Sequence, residues 1–329
     1  MKILLFHPTL LPPKSYGGIE RVVLWLAKGL LERGHEVFVA CLAGSQLPKG
    51  CQILEVEKKF YSAEELLKIL PKSLDVIHFM APLSEKVWQK LPYPSLLTVH
   101  GNGQSGEKYP KNSVFLSQDH ANRHRAKVYI YNGIDPAEFL YEPQNKGNHY
   151  LFLSKTNWRV KNLTGAMTYC KAAGSSLVIA GGSRPFLKRF TCLFNSQFTW
   201  AGPVSGWKKA QLLTQAKALV FPVIWPEPFG LVVAEALISG TPVIASPVGS
   251  LVEMIPSQVG LLPKTDEEWI EALQGKSWTF SSDQCREWAI EKFHFARMAE
   301  SYEGVYQKVI SGSFLHSEHP IAEGWKHFK

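Results

Sequence analysis

Two sets of short β-rich runs, each interspersed with helical stretches, follow one another along the chain. The first set comprises residues 2–6, 35–41, 75–79, 95–99, 113–117 and 127–131, and the second comprises 150–154, 175–181, 197–202, 218–222 and 242–246. Strands that alternate with helices form parallel sheets with helices on both faces. The pattern therefore predicts an α/β protein with two Rossmann-like domains, each built on a parallel sheet.

The segment 135–148, which is polar and contains proline and glycine, predicts the boundary between the two domains. We expect an N-terminal domain over 1–140, a C-terminal domain over 148–293 and a closing segment over 294–329. A chain of 329 residues is long enough to give both domains a substantial core. Ligands of open α/β sheets bind beyond the carboxyl ends of the strands, so we expect a cleft between two facing domains to gather loops from both.

Composition excludes several classes of protein. Hydrophobic residues make up 45% of the chain and charged residues 19%, which argues against disorder. The five cysteines are widely spaced and form no C-x-x-C pair, which predicts free thiols in a reducing compartment and neither a zinc site nor a disulfide framework. The amino-terminal run is short and broken by prolines, as in a first strand, and no segment reaches the roughly 18 apolar residues of a membrane span. We therefore expect a cytoplasmic protein.

Positive charge is concentrated in one part of the chain. Residues 143–226 contain eleven lysines and arginines and no acidic residue. Such a stretch produces a positive field that suits an anionic ligand. No nucleic-acid-binding module is recognisable, so we expect a diphosphate ligand and no nucleic acid. Lys188 and Arg189, beside Phe186 and Phe190, could instead make a peripheral contact with an anionic membrane or form a solvated basic face.

Residues 218–253 carry the most specific pattern. The apolar run 218–223 has the composition of a strand, and the prolines that follow, Pro226 and Pro228, exclude helix and central strand around Glu227. Glu227 should therefore lie in a loop at the carboxyl end of a strand. Pro228 suits the first turn of a following helix, whose free N–H groups attract phosphate. The residues expected to present these groups are Phe229, Gly230 and Leu231.

A second carboxylate, Glu235, lies eight residues beyond Glu227, about one and a half turns into the predicted helix. Both carboxylates can face one crevice, and Gly230 would let a ligand approach the backbone closely. Because a carboxylate repels a diphosphate, Glu235 is better placed to accept hydrogen bonds from the neutral ribose 2′- and 3′-hydroxyls. An ordinary strand, turn and helix with two solvated glutamates is the alternative interpretation.

The run EPFGLVVAE, followed by ALISGTPVIASPVGSLVE, resembles the Glu-x7-Glu signature of retaining GT-B glycosyltransferases of glycosyltransferase family 4. The resemblance implies two facing Rossmann-like domains, a nucleotide-sugar donor with UDP preferred, and no required cofactor. It places Glu227 beside the transferred sugar and Glu235 on the donor ribose. It also implies a C-terminal helix that crosses back to the first domain, here within 294–329. Residues 311–329 are weakly patterned, which predicts a partly ordered tail.

Three segments of the first half resemble the same family. In YGGIERVV, Gly17 and Gly18 precede a helix, allow positive φ and expose N–H groups, and the resemblance implies that they approach the donor phosphates or sugar. A turn that needs glycine for its backbone alone is the alternative. In SLLTVHGNG, His100 ends a strand, and the resemblance implies a hydrogen bond to a sugar hydroxyl. The segment NGID, residues 132–135, resembles the one that precedes the family's interdomain linker.

Basic residues that follow the strand 150–154 resemble the family's diphosphate contacts. Lys161 matches the family's lysine, whereas the position of its arginine falls on either Lys155 or Arg159. By this resemblance, the cations would stabilise negative charge on the leaving group.

Three further residues are candidates for the donor site. In FTWAGPVSGW, the resemblance places Val204 near the nucleotide base. Trp158 and Trp225 could stack on the donor or could serve the structure alone. No D-x-D triplet occurs in the sequence, which fits donor binding by helix ends and basic residues without a metal ion.

The resemblance thus implies a hexosyltransferase that transfers a sugar, with retention, from a nucleoside-diphosphate sugar to the hydroxyl of a sugar, a lipid-linked or a small-molecule acceptor. In the expected front-face mechanism, basic residues stabilise the departing diphosphate while the acceptor attacks the same face, and Glu227 positions the donor sugar. The alternatives are an epimerase or phosphorylase of the same fold and a non-catalytic nucleotide-sugar binding protein.

Overall fold

The computed structural model describes residues 1–13, 17–57, 61–82, 84–182, 196–275 and 279–325. The chain divides into two compact units, the first formed by Met1–Ile134 with Phe293–Trp325 and the second by Asp135–Lys292. The second unit begins at the first residue of the segment from which the boundary was predicted.

The first unit is built on a parallel sheet of six strands among the described residues. The strands are β1 (Lys2–Phe6), β2 (Glu36–Cys41), β3 (Gln52–Glu55), β4 (Val76–Phe79), β5 (Ser95–Thr98) and β6 (Ser113–Val114). Their order in the sheet is β3-β2-β1-β4-β5-β6, and all pairs are parallel. In this doubly wound order the connections reverse direction between β1 and β4, which opens a crevice beyond the carboxyl ends of those strands.

Helices flank this sheet because their apolar residues recur at helical spacing. They are α1 (Gly18–Glu32), α2 (Ala63–Ile69), α3 (Glu85–Trp88) and α4 (Gln118–Asn122), to which the end of the chain adds α11 (Phe295–Ile310). Helix α1 buries Val22, Leu26 and Leu30 on one face. Gly29 is required on α1 because a Cβ there would lie 2.7 Å from the Ala299 Cβ of α11.

The second unit repeats the strand order of the first. Its strands are β7 (Tyr150–Leu153), β8 (Leu177–Ala180), β9 (Phe198–Gly202), β10 (Leu219–Phe221), β11 (Val243–Ala245) and β12 (Gly260–Leu261), in the order β12-β11-β10-β7-β8-β9. The reversal lies between β7 and β10, which pair in parallel. The described helices are α5 (Leu163–Ala172), α6 (Gly206–Gln215), α7 (Leu231–Ile238), α8 (Leu251–Met254), α9 (Asp266–Gln274) and α10 (Ser282–Phe293).

The predicted α/β class with two parallel sheets is confirmed. One predicted strand, 127–131, is wrong, because this segment contributes only an isolated bridge between Tyr129 and Phe115. Strands β3 and β12 were not predicted. Both lie at sheet edges, where β3 leaves Ile53 48% exposed and β12 has two residues, so neither carries the buried apolar run typical of a central strand.

The residues after α11 pack onto the first unit as an ordered segment. Ile321 donates its N–H to the His124 carbonyl at 2.9 Å, and Ala322 donates to the Glu107 carbonyl at 2.9 Å. The side chain of Ala322 is 1% exposed and belongs to the core. Residues 311–325 thus form backbone hydrogen bonds although their sequence pattern is weak. The pattern does not predict these bonds because the partners lie more than a hundred residues earlier in the chain.

A buried polar network joins α11 to the sheet of the first unit. His78 of β4 contacts the Tyr306 hydroxyl through Nδ1 at 2.8 Å and the Thr98 hydroxyl of β5 through Nε2 at 2.7 Å. The Thr98 hydroxyl in turn lies 2.7 Å from the Tyr302 hydroxyl. Burial, with a smaller effect from nearby His100, lowers the pKa of His78 to about 3, so the imidazole is neutral at physiological pH.

We predict that acid destabilises the first unit through His78. The pKa of His78 is about 6.5 in the unfolded chain and about 3 in the folded protein, so the unfolded state takes up the proton first as the pH falls. The contribution of neutral His78 to stability is therefore complete above pH 6.5 and is lost as the pH falls towards 3. Between pH 7 and pH 5 the loss from His78 should be about 2 kcal/mol in the free energy of unfolding, measured by urea denaturation.

The variant His78→Gln should be less stable at pH 7 but should lack this part of the pH dependence. His319→Gln, at an exposed position, is the control and should retain the wild-type dependence. An unchanged difference between pH 7 and pH 5 in His78→Gln would contradict the prediction.

Candidate functional site

Two loops of the second unit meet where its strand order reverses. The loop 154–162 follows β7, and the loop 222–230 follows β10. Ile224 donates its N–H to the Val160 carbonyl at 3.0 Å, and Asn162 donates its side-chain Nδ2 to the Pro222 carbonyl at 2.9 Å. The two loops are therefore joined by backbone and side-chain hydrogen bonds at the edge of the sheet where α/β proteins bind ligands.

Glu227 lies in the second of these loops and forms a buried ion pair with Lys161 from the first. Lys161 Nζ is 2.6 Å from Glu227 Oε2, and the two side chains are 8% and 10% exposed. Trp225 donates its indole N–H to the same oxygen at 2.5 Å. Because removing a charge from water costs several kcal/mol, these two donors stabilise the carboxylate and fix its orientation.

The loop that follows β11 supports the backbone of Glu227. Ser250 donates its N–H to the Glu227 carbonyl at 3.0 Å, and its hydroxyl to the Phe229 carbonyl at 2.9 Å. Gly249 has φ of +60°, and a Cβ there would lie 2.5 Å from the Glu227 nitrogen. Glycine is required on both counts, which explains the PVGS segment of the sequence.

Helix α7 begins at Leu231, three residues after Pro228, so the prediction that Pro228 occupies its first turn is wrong. Gly230 adopts a left-handed conformation with φ of +81° and is the N-cap residue in its place. Glycine brings no capping side chain, and the first N–H groups of a helix have no partners within it. Phe229 is 2% exposed, so its ring packs in the core and it can act on a ligand through its backbone only.

Glu235 lies about one turn into α7 and pairs with a lysine of α6. Lys209 Nζ is 2.5 Å from Glu235 Oε1, with 16% of the Lys209 side chain and 4% of the Glu235 side chain exposed. Val204 is half-buried in the short connection between β9 and α6. Glu227 and Glu235 are thus each held by a lysine from a different element.

The two candidates for the arginine position differ in their surroundings. Lys155 is half-buried, and its Nζ lies 4.3 Å from the centre of the Trp158 ring, a cation–π contact. Arg159 is exposed at the start of a short 3₁₀ helix, Arg159–Lys161. Both cations belong to the loop that carries Lys161.

Gly17, Gly18 and His100 lie in the first unit. Gly17 is the N-cap residue of α1, and its φ of −171° is extended, so it does not use the positive φ that glycine allows. It is needed for space instead, because a Cβ would lie 2.5 Å from the Cβ of Pro13. Gly18 is the first residue of α1.

His100 follows β5, and its Nε2 atom is buried without a hydrogen-bond partner among the described residues. Burial lowers the pKa of His100 to about 3, with a further contribution from His7. His100 is therefore a neutral imidazole that can accept or donate a hydrogen bond, according to its tautomer.

Two histidines near α4 hold the loop after His100. The Gly101 carbonyl accepts from His120 Nε2 at 3.0 Å, and the Asn102 carbonyl lies 3.1 Å from His124 Nε2. Arg123 donates to the Asn102 side chain at 2.8 Å. The loop that carries His100 is therefore held by three residues of one short segment, His120, Arg123 and His124.

Nine predicted residues belong to the second unit: Lys155, Arg159, Lys161, Val204, Glu227, Phe229, Gly230, Leu231 and Glu235. Sequence reasoning missed the contact of Lys209 with Glu235 and the role of Asn162 between the loops. It left open whether Trp225 is structural, and the structure shows its indole N–H donating to Glu227. The membrane candidates Phe186, Lys188, Arg189 and Phe190 lie outside the described residues.

The described residues contain no group of three or more histidine, cysteine, aspartate or glutamate side chains placed to hold a metal ion. Their helices include none whose length and apolar character would allow it to cross a membrane.

Two family models match the chain, one in each unit. The model described as Glycosyltransferase Family 4 matches residues 16–135, and that described as Glycosyl transferases group 1 matches residues 148–275. The first match contains β2 to β6, and the second contains β7 to β12. Both matches therefore include the carboxyl strand ends where the candidate residues lie.

Known proteins resemble the chain over nearly its whole length. An uncharacterized glycosyltransferase of Methanocaldococcus jannaschii is 26% identical, with 90% of this chain and 95% of that protein covered. A solved glycosyltransferase involved in avilamycin A biosynthesis is 27% identical with a TM-score of 0.76, covering 95% of this chain and 98% of that one. An Anabaena protein solved with UDP and glucose shares the fold at 16% identity and a TM-score of 0.66, covering 93% of this chain and 99% of that one.

These matches agree with the geometry of the two units. Each unit has the doubly wound strand order, each matches a glycosyltransferase family model, and the pair of units is shared with a solved glycosyltransferase at 27% identity. The protein is therefore a glycosyltransferase of the GT-B type.

Proposed function

We propose that this glycosyltransferase moves a hexose from a UDP-sugar to an acceptor hydroxyl with retention of anomeric configuration. The observation that carries the proposal is the buried carboxylate of Glu227, held by Lys161 and Trp225 in the loop that leads into α7. A carboxylate, cations and a helix N-terminus are the groups that a sugar and its diphosphate require. The Anabaena protein of the same fold binds UDP, which supports this nucleotide.

The loop after β7 would bind the diphosphate. Lys161 has three donor hydrogens on its ammonium, so it can keep its bond to Glu227 and also donate to a phosphate oxygen. Lys155 or Arg159 supplies the second cation from the same loop. With the N–H groups of Gly230 and Leu231 they would stabilise the charge that develops on the leaving diphosphate.

Glu227 would orient the transferred sugar. Its Oε2 atom already accepts from two donors, which suits a carboxylate that holds a sugar hydroxyl better than one that attacks carbon. In the proposed front-face step, the bond from the anomeric carbon to the diphosphate oxygen breaks as the acceptor oxygen bonds to that carbon on the same face. The acceptor proton passes to the departing phosphate oxygen.

The first unit would contribute neutral groups. We propose that the neutral imidazole of His100 forms a hydrogen bond with a sugar hydroxyl, and that Gly17 and Gly18 allow close approach of the donor phosphates or sugar. Glu235 would accept from the ribose hydroxyls, and Val204 would lie beside the base. The acceptor would be a sugar, a lipid-linked molecule or a small molecule.

Two further features belong to the proposal. Donor binding through cations and a helix end would make transfer independent of a metal ion. Cys41, Cys51, Cys170 and Cys285 are free thiols, as expected for an enzyme of the cytoplasm.

A screen of UDP-, GDP- and ADP-sugars by thermal shift and product release tests the proposal. A donor present at 100 times its Kd should stabilise the native protein by about 2.7 kcal/mol. Glu235→Ala should lose that shift, because it removes the acceptor for the ribose hydroxyls. Glu227→Gln should bind the donor but lose turnover, because the amide carries no charge.

Glu271→Ala changes an exposed glutamate of α9 in the same unit and should behave as the wild type. Failure of every nucleotide sugar to bind would contradict the proposal. Binding without transfer or hydrolysis would indicate a binding protein, donor conversion without acceptor an epimerase, and dependence on inorganic phosphate a phosphorylase.

We predict that the product keeps the anomeric configuration of the donor and that excess EDTA leaves the rate of transfer unchanged. Front-face attack forms the new bond on the face from which the diphosphate leaves, and the leaving group is stabilised by protein cations. Proton NMR of the first product formed measures the configuration. An inverted product would replace the front-face mechanism, and a rate restored only by added divalent metal would contradict metal independence.

Trp225→Phe should lower turnover about tenfold, the effect of one hydrogen bond to a charged group, because phenylalanine keeps the ring but not the N–H donor. The donor Kd should change much less than kcat. Trp288→Phe is the matched control, since it also removes an indole hydrogen bond, here to the Met254 carbonyl at 3.0 Å. Equal losses of kcat in the two variants would show that Trp225 does not position Glu227.

A further inference from the structure

We propose that Lys209 sets the selectivity of the donor site for ribose over 2′-deoxyribose by holding Glu235 in position. This inference rests on the proposed function, because it assigns Glu235 to the ribose. Lys209 was not among the residues expected to act in the site, and it lies on α6, an element outside the two loops that hold Glu227.

The contact between the two residues is short and largely shielded from water. Lys209 Nζ is 2.5 Å from Glu235 Oε1, and the exposed fractions of the two side chains are 16% and 4%. A carboxylate this deeply buried needs a partner, since an isolated charge in such a place costs several kcal/mol. Lys209 therefore compensates the charge of the Glu235 carboxylate and fixes the position of its Oε1 atom.

Both properties matter for recognition of a diol. A charged carboxylate only accepts hydrogen bonds, and ribose hydroxyls are donors that need an acceptor in a fixed place. A hydrogen bond to a charged group contributes more than a neutral one, so its loss is visible in affinity. A site built to bind a hydroxyl rejects the ligand that lacks it, because its own polar group is then left without a partner.

The position of α6 relates this pair to the nucleotide end of the proposed donor. The helix follows β9 through the connection that contains Val204, and Ser205 is its N-cap residue. Lys209 is the fourth residue of α6, one turn from that connection. The residue proposed for the base, in the connection, and the lysine that holds Glu235, in the helix, thus lie close together along the chain.

Lys208 provides a control within the same helix. It neighbours Lys209, carries the same charge and is exposed, with its Nζ 3.3 Å from the Ala201 carbonyl. A variant at Lys208 changes the net charge of α6 by the same amount without touching Glu235. Comparison of the two lysines therefore separates orientation of Glu235 from a general electrostatic attraction for phosphate.

The experiment measures the Kd of UDP and of 2′-deoxy-UDP by calorimetry for the wild type, Lys209→Met and Lys208→Met. The wild type should bind UDP about tenfold more tightly than 2′-deoxy-UDP, as expected for one hydrogen bond to a charged acceptor. Lys209→Met keeps most of the aliphatic stem and should bind the two ligands almost equally. Lys208→Met should keep the wild-type ratio.

The ratio of the Kd of 2′-deoxy-UDP to the Kd of UDP shows whether Lys209 positions Glu235 or only stabilises the fold. If Lys209 only stabilised the fold, its loss would weaken the binding of both ligands together and leave the ratio of their Kd values unchanged. That result would overturn the inference, but it would leave the proposed function standing. If the wild type binds neither ligand, the proposed function fails and this inference fails with it. Lys209→Gln, which keeps a donor without the charge, should also lose the ratio and serves if the methionine variant does not fold.

Discussion

The ion pair between Lys161 and Glu227 is the interaction on which the functional edge of the second unit depends. Each charge is buried, so neither is tolerable without the other. The two residues come from loops that follow β7 and β10, and those loops are neighbours only because the strand order reverses between these strands. Gly249 and Ser250 extend the constraint to the loop after β11, where the backbone of Glu227 leaves no space for a side chain.

The two units use one strand order for different chemistry. In the first unit the polar groups near the reversal are imidazoles, and burial lowers the pKa of both His78 and His100 to about 3. In the second unit the polar groups are lysine–glutamate pairs. Neutral rings exchange hydrogen bonds with hydroxyls at little electrostatic cost, whereas ammonium groups bind phosphate. The same strand order thus carries neutral imidazoles in one unit and lysine–glutamate pairs in the other.

Much of this arrangement could be predicted from sequence because it follows from local rules. Alternating β-rich and helical segments give the fold class, and Pro226 and Pro228 place Glu227 in a loop whatever the rest of the chain does. The start of α7 could not be placed, because the left-handed Gly230 overrides the preference of Pro228 for a first turn. Strands β3 and β12 were not predicted because these edge strands lack the run of buried apolar residues that marks a central strand.

Contacts between distant side chains were beyond sequence reasoning. Whether Trp225 donates to Glu227 or packs elsewhere depends on a side-chain torsion, and the partner of Glu235 depends on how α6 packs against α7. The reason for which a glycine is required can also depend on residues that are not its neighbours in sequence. Glycine at position 17 allows a positive φ that it does not use, and it is needed because the ring of Pro13 occupies the space of a Cβ.

The division of the chain has a consequence for its synthesis. The first unit includes Phe293–Trp325, so helix α11 and the segment that pairs with Glu107 and His124 are the last parts of the described chain to leave the ribosome. All of Asp135–Lys292 emerges before them. Because domains fold as units in the order in which they become complete, the second unit can close its core while the first still lacks a helix. Among the described residues, the last segment of the first unit therefore follows the whole of Asp135–Lys292.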